Sequence, residues 1–310
     1  MFWSASRCRL SSRGYRFSAG GVCASVITYF MATLHHEIVE APGSSPRRRM
    51  LLLHGIYGAG RNWGTVARRL VRARPEWSVV LADLRSHGHS PRLAPHTLEC
   101  CAADLLDVED HLGGPADAVL GHSFGGKVAL LHARERARQA GSGAPRELWI
   151  VDSSPATGSP GGSAWRMLGV LRRHPGPFGS RAEAVDAVES EGFAPLVANW
   201  MAINAVRTDA GLEWRLDPDE MEAYLRDYFR TDAWDLAESP PAGTDVHFIR
   251  ALGSSVLDEA AVARIRRAAR GTGRSVWDTG RVFLHEVDGG HWVNTENPDA
   301  LHELLVAGLR

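Results

Sequence analysis

The stretch with the clearest chemical content is Gly121-His122-Ser123-Phe124-Gly125. An apolar run ending in Val119-Leu120 leads into it, and Val128 to Arg134 reads as the helix that follows. A serine on a sharp strand-to-helix turn stands exposed at the strand's carboxyl end and at the positive end of the new helix. Glycines suit both flanks, because a Cβ at either place would crowd the neighbouring strand or helix. The backbone N–H of Phe124 then points at any oxyanion formed beside Ser123. A serine hydroxyl is a poor nucleophile at neutral pH and needs a base. Histidine is poised for that task. His291 fits, in the loop Asp288-Gly289-Gly290-His291-Trp292-Val293 after the last apolar run. A second oxyanion donor is expected from the N–H of Ile56, in the glycine-rich loop His54-Gly55-Ile56-Tyr57-Gly58-Ala59-Gly60. That loop lacks the spacing and the Gly-Lys-Ser/Thr ending of a phosphate-cradling loop.

The base needs a carboxylate to hold its tautomer. Asp152 ends the apolar run Leu148 to Val151, the next strand after the serine, and from there a carboxylate can reach a histidine above the sheet. Asp258 and Asp217 are the alternatives, with Asp258 better placed as the N-cap of a helix. The loop Asp83-Leu84-Arg85-Ser86-His87-Gly88-His89-Ser90 reads as a turn pinned by an Asp–Arg pair, not as a metal site. Lys127 is expected to face solvent or cap a loop. No metal and no cofactor are expected.

The elements that must position these groups alternate. Apolar runs at Leu34 to Val39, Arg49 to Leu53, Trp77 to Leu81, Ala116 to Leu120, Leu148 to Val151, Asp245 to Ala251 and Val282 to Val287 read as strands. Helical patterns separate several of them: Trp63 to Arg74, Leu98 to Leu112, Asp258 to Arg270 and Pro298 to Leu309. Strand, loop and helix repeating without hairpin signals predict an α/β fold with a doubly wound, mostly parallel sheet. Ligands bind such sheets at the carboxyl ends of strands, where His54, Asp83 and Ser123 all fall. The alternation stops between 155 and 243. Pro and Gly cluster from Pro155 to Gly179, and helical pieces follow at Arg181 to Glu191, Pro195 to Val206 and Asp219 to Phe229. Trp165, Trp200, Trp214, Trp234, Met167 and Met201 punctuate the segment. An all-helical lid over an apolar pocket is the expectation. The domain reading is a core of 37–154 and 244–310, a lid of 155–243 and a leader of 1–36. Tyr57, His122, Trp200 and Trp292 are expected to line the substrate pocket.

The chain has 310 residues and a formal net charge of −1, so no global field recruits nucleic acid or anionic lipid. Four cysteines, with no CxxC, suggest neither zinc nor a disulfide framework and favour a reducing compartment. The first acidic residue is Glu37. The arginine- and serine-bearing leader before it reads either as an artefact of a misplaced start or as a transit peptide, so the expected location is the cytoplasm or an organelle matrix. No stretch is expected to insert stably in a membrane. Oligomeric state is not legible.

Leu53-His54-Gly55, Asp83 to Ser90, Gly121 to Lys127, Val151-Asp152-Ser153-Ser154-Pro155 and Gly289 to Val293 follow one another in this order. From about Glu37 to the end the chain resembles the α/β-hydrolase superfamily. Within it, Gly125-Gly126-Lys127, Val151-Asp152-x-x-Pro155 and Gly290-His291-Trp292-Val293 are similar to the serine-esterase group that includes the mitochondrial abhydrolase-domain protein eleven and a small bacterial acyl-CoA esterase. The resemblance implies a Ser–acid–His triad and cleavage of small to medium acyl esters or thioesters through an acyl-enzyme, with a small-molecule substrate as the partner. In most of the superfamily the acid lies after the sixth or seventh strand. Here that place reads Ser255, while members of the esterase group carry an acid at the position of Asp152. No basic cluster near the site is evident as a clamp for coenzyme A phosphates. The same scaffold also supports C–C bond hydrolases, lyases, perhydrolases and slow-turnover receptors.

Overall fold

The computed structural model describes residues 33–139, 143–271 and 280–310. Most of the expected leader, residues 1–32, lies outside the described residues. The core strands are β1 (His36–Val39), β2 (Arg48–Leu53), β3 (Trp77–Ala82), β4 (Ala118–His122) and β5 (Glu147–Val151). Helices α1 (Gly64–Ala73), α2 (Leu98–His111) and α3 (Phe124–Arg138) alternate with them. A cap segment follows: α4 (Gly162–Arg173), α5 (Arg181–Ser190), α6 (Pro195–Met201), β6 (Ala205–Thr208), β7 (Gly211–Trp214), α7 (Pro218–Arg230) and α8 (Trp234–Glu238). The core then resumes with β8 (Asp245–Ala251), α9 (Glu259–Ala269), β9 (Arg281–Val287), α10 (Val293–Glu296) and α11 (Pro298–Gly308).

Seven strands form one sheet in the order β1-β3-β2-β4-β5-β8-β9. Only the edge strand β1 runs antiparallel to its neighbour; every other pairing is parallel. The order reverses between β2 and β4, since β3 lies on one side of β2 and β5 on the far side of β4. A crevice opens at such a switch point. The loops leaving β2 and β4 are the two that carry Ile56 and Ser123.

Alternation along the buried strands divides the core into two layers. Leu51, Leu53, Val80, Val119, Leu148 and Ile150 pack with residues of α2 and α3. Met50, Leu52, Val79, Leu81, Leu120 and Trp149 pack with α1 and α11 on the other face. Strands covered on both faces explain the continuous apolar runs.

The cap departs from its expected form in two places. It is not all-helical: the piece read as a helix from Pro195 to Val206 turns into a hairpin, Ala205 pairing with Trp214 and Thr208 with Gly211. Val206, Thr208 and Trp214 are residues that favour strands, and Gly211, at φ 141, makes the return. The Pro- and Gly-rich stretch also contains a full helix, α4, whose Met167, Leu168, Val170 and Leu171 are buried. At Cys100 the no-disulfide expectation is corrected, because that residue is disulfide-bonded; Cys101 is a buried free thiol. Among the described residues no helix is long and apolar enough to cross a membrane.

Candidate active site

Three of the four non-glycine residues with positive φ among the described residues lie in loops that leave β2, β4 and β5: Tyr57 at 64°, Ser123 at 52° and Asp152 at 43°. Side chains rarely accept this backbone region, and the strain concentrates where function demands a fixed geometry. At Ser123 the turn is held by close backbone approach. A Cβ on Gly125 would lie 2.5 Å from the His54 carbonyl oxygen, and one on Gly121 would lie 2.1 Å from that of Gly125. The N–H of Ser123 donates to the Val151 carbonyl at 2.9 Å, and the N–H of Asp152 to that of Ile249 at 2.8 Å. The ends of β4, β5 and β8 are thereby tied together.

His291 meets this edge from the far end of the chain. Its Nδ1 lies 2.7 Å from Oδ2 of Asp152, whose side chain is buried. Nδ1–H therefore donates to the carboxylate, and Nε2 is left as the basic nitrogen. His122 fixes the main chain of the same residue, its Nε2–H donating to the His291 carbonyl at 2.7 Å. Burial, reinforced by the neighbouring His291 ring, pushes His122 down to about 3. It stays neutral and in one tautomer.

The other acid candidates are occupied elsewhere. Asp258 caps α9, accepting from the Ala261 N–H at 2.7 Å. Asp217 caps α7 and pairs with Arg92. Ser255 is exposed.

The glycine-rich loop is braced from beneath. His54 donates from Nδ1 to the Gly55 carbonyl at 2.7 Å and accepts the Leu84 N–H on Nε2 at 3.0 Å. Burial holds its pKa below the usual value, which suits that neutral tautomer. The Gly58 N–H closes a turn onto the Gly55 carbonyl at 3.0 Å. Among the described residues the Ile56 N–H donates to no internal acceptor. The Asp–Arg pair expected within 83–90 does not form. Arg85 pairs instead with Asp104 on α2. Asp83 accepts the Gly60 N–H at 2.7 Å and the His89 N–H at 2.8 Å, with His35 Nδ1 at 2.9 Å. The carboxylate thus anchors the far end of the glycine loop. Its side chain, with His35 and His89, is the one metal-competent cluster among the described residues, and both oxygens already accept N–H donors.

Ser123 and His291 line one cavity, of about 40 Å³. The expected pocket residues Tyr57, His122, Trp200 and Trp292 line it too, joined by Met167 and Phe193 from the cap. Trp200 and Trp292 meet edge to face with centroids 6.0 Å apart, linking cap to core. The Tyr57 hydroxyl donates to the Ala164 carbonyl at 2.8 Å, a second link, and burial raises its pKa. The remaining cap tryptophans serve packing: Trp214 meets Phe178 edge to face, and Trp165 and Trp234 lie under Arg226 and Arg264.

Lys127 corrects its expectation. It is fully buried, and its Nζ donates to the carbonyls of Ala156, Tyr228 and Thr231 at 2.8, 2.7 and 3.0 Å. The ammonium also sits 4.0 Å from the Tyr228 ring centroid. It ties α3 to both chain segments at the cap's base. No sequence periodicity flags it, because its acceptors are backbone atoms up to 104 positions away.

Residues 50–304 match the alpha/beta hydrolase family. The chain belongs to that family. The hydrolase is 28% identical over 221 residues to Lipase LipV of Mycobacterium tuberculosis, covering 70% of this chain and 78% of that protein. It is 25% identical over 197 residues to the sn-1-specific diacylglycerol lipase ABHD11 of Mus musculus, covering 62% of each chain. Among solved structures, a marine microorganism esterase superposes on 89% of the hydrolase and 99% of its own chain, with a TM-score of 0.73 and 19% identity. The E-2-(acetamidomethylene)succinate hydrolase gives a TM-score of 0.66 at 17% identity, over 85% of this chain and 91% of its own. Those two likenesses carry the fold.

Proposed function

We propose that this hydrolase cleaves carboxylic esters or thioesters of small to medium acyl chains, with Ser123, His291 and Asp152 as a catalytic triad. The observation that carries the reading is His291 held at 2.7 Å by the buried Asp152 while sharing one cavity with the strained Ser123. The lipase and esterase names of the relatives support ester chemistry, and the cavity's aromatic lining supports an apolar acyl group.

In this reading His291 Nε2 takes the Ser123 proton as Oγ bonds to the substrate carbonyl carbon. The carbonyl oxygen gathers negative charge, and the N–H groups of Ile56 and Phe124 stabilise it. Collapse expels the alcohol or thiol, which takes the proton from His291, leaving an acyl-Ser123. Water then repeats the sequence: His291 accepts its proton, the oxygen attacks the acyl carbon, and Ser123 leaves with the proton as the carboxylic acid departs. Asp152 stabilises the imidazolium in both halves.

The test is a panel of p-nitrophenyl esters and matched thioesters of graded acyl length, with Ser123→Ala as control and fluorophosphonate labelling of the wild type. Turnover peaking at short to medium chains, abolished in Ser123→Ala, is expected. Labelling without turnover of any panel member would replace the reading with a receptor or with C–C hydrolysis or perhydrolysis on the same fold.

A further inference from the structure

A second groove, of about 610 Å³, opens between the loop after β2 and the cap. Arg61, Arg181, Arg207 and Arg215 all line it, and no carboxylate does. These residues lie far apart in sequence. They meet because the turn after the glycine loop, the start of α5, the cap hairpin and the segment after it converge there. Arg61 precedes Asn62 and Trp63, which line the catalytic cavity, so consecutive residues face the two spaces.

The groove's lining is of one charge sign. Several arginines elsewhere meet acids: Arg92 with Asp217 and Glu220, Arg172 with Asp219 and Glu222, Arg173 with Glu191, Arg264 with Glu238. Among the described residues none of the four groove arginines forms an ion pair. Arg61 donates one N–H to the Ile203 carbonyl, Arg181 one to that of Ala202, and Arg215 one to that of Gly88. These bonds orient the guanidinium groups and leave most of their five N–H donors free. Glu183, near the start of α5, accepts the Gly179 N–H at 2.8 Å. Four like charges in a chain of net charge −1 are a local concentration that an anion would relieve. Planar guanidinium forks match phosphate oxygens, and a group bearing several such oxygens can engage more than one fork at once.

We propose that this groove is an anion site that takes a phosphate-bearing ligand, either a soluble phosphate ester or diphosphate or a phospholipid head group. The site is defined by binding, so it stands or falls apart from ester turnover.

Inorganic pyrophosphate, titrated calorimetrically into the full chain at low ionic strength, probes the soluble source. Co-sedimentation with phosphatidylcholine vesicles, with and without phosphatidylglycerol, probes the head group. Arg207→Gln, whose side chain makes no contact that the fold needs, and Arg181→Gln/Arg207→Gln are compared with Arg138→Gln/Arg226→Gln, an equal charge loss at exposed, paired arginines. Thermal midpoints verify folding. Binding of pyrophosphate that weakens about tenfold in the groove double variant and holds in the control supports the site with a soluble ligand. Retention on phosphatidylglycerol vesicles alone, with the same variant pattern, supports the head group. No binding of either probe, or equal loss in groove and control variants, overturns the proposal.

Discussion

Nδ1 of His291 and Oδ2 of Asp152 lie 2.7 Å apart although the residues are 139 positions apart in sequence. Asp258, the rival acid, spends its carboxylate on the Ala261 N–H. Asp152→Asn keeps the shape of the contact and removes the charge that orients and stabilises the imidazolium. A loss of about 10³–10⁴-fold in kcat is expected for Asp152→Asn. Asp258→Asn, which preserves a good helix cap, is expected to leave kcat near the wild-type value. Steady-state kinetics with p-nitrophenyl butyrate checks both, and the opposite ranking would transfer the role to Asp258.

Gly125 is demanded by space and not by an unusual φ. Its added Cβ would meet the backbone oxygens of His54 at 2.5 Å and Leu53 at 2.8 Å, atoms that cannot swing aside. Gly125→Ala is expected to cost about 1–3 kcal/mol of stability and to depress turnover by shifting Ser123. Gly143→Ala, where nothing lies within 4 Å of the new methyl group, is the control. Urea midpoints compared at constant slope decide the point. Equal midpoints for the two variants would mean that the turn has room to relax.

Much of this arrangement was legible because it is local. The strands Leu51 to Leu53 and Leu148 to Val151 are continuous apolar runs, and sheet burial on both faces writes that pattern directly. Ser123 sits in a five-residue motif whose glycines have a steric cause. The role of Asp83 is hidden in the sequence because it accepts backbone N–H groups at Gly60 and His89, which leave no mark in side-chain identity. Lys127 was missed for the same reason. The groove arginines leave no trace in the sequence because charge clustering by tertiary approach has no periodicity. The cap hairpin was lost because Pro195-Leu196-Val197-Ala198 begins a true helix, and the switch to strand at Ala205 depends on pairing with Trp214.

Lys127 holds the cap's base through the carbonyls of Ala156, Tyr228 and Thr231. Lys127→Met fills a similar volume but leaves those acceptors without their donor. A destabilisation of about 2–5 kcal/mol is expected, since each buried unpaired carbonyl carries a desolvation penalty. Lys127→Arg is not expected to restore it, because a planar fork cannot converge on the same three points. Thermal unfolding measures the loss, and a Met variant as stable as the wild type would show that water replaces the ammonium at no cost.

His87 and His122, like His247, which burial also pushes down to about 3, make the fold sensitive to acid. Burial pushes His87 and His122 each down to about 3, with the neighbouring His54 and His291 rings acting in the same direction. In the unfolded chain both return to about 6.5. Above that pH the two states bind the same number of protons at these sites and stability is unaffected. As pH falls from about 6.5 towards 3 the unfolded chain takes up protons that the folded one refuses, so stability drops by about 1.4 kcal/mol per pH unit for each histidine. His87 donates Nδ1–H to the Arg85 carbonyl at 2.9 Å, and its ring packs near Phe124 and Tyr224. His87→Phe keeps the ring and removes the titration, at the cost of one hydrogen bond. The variant is expected to start less stable at pH 7.5 and to lose stability less steeply between pH 6 and 4.5, the slope falling by about 1.4 kcal/mol per pH unit. Urea unfolding at a series of pH values reads that slope, and parallel profiles for wild type and variant would place the proton uptake elsewhere.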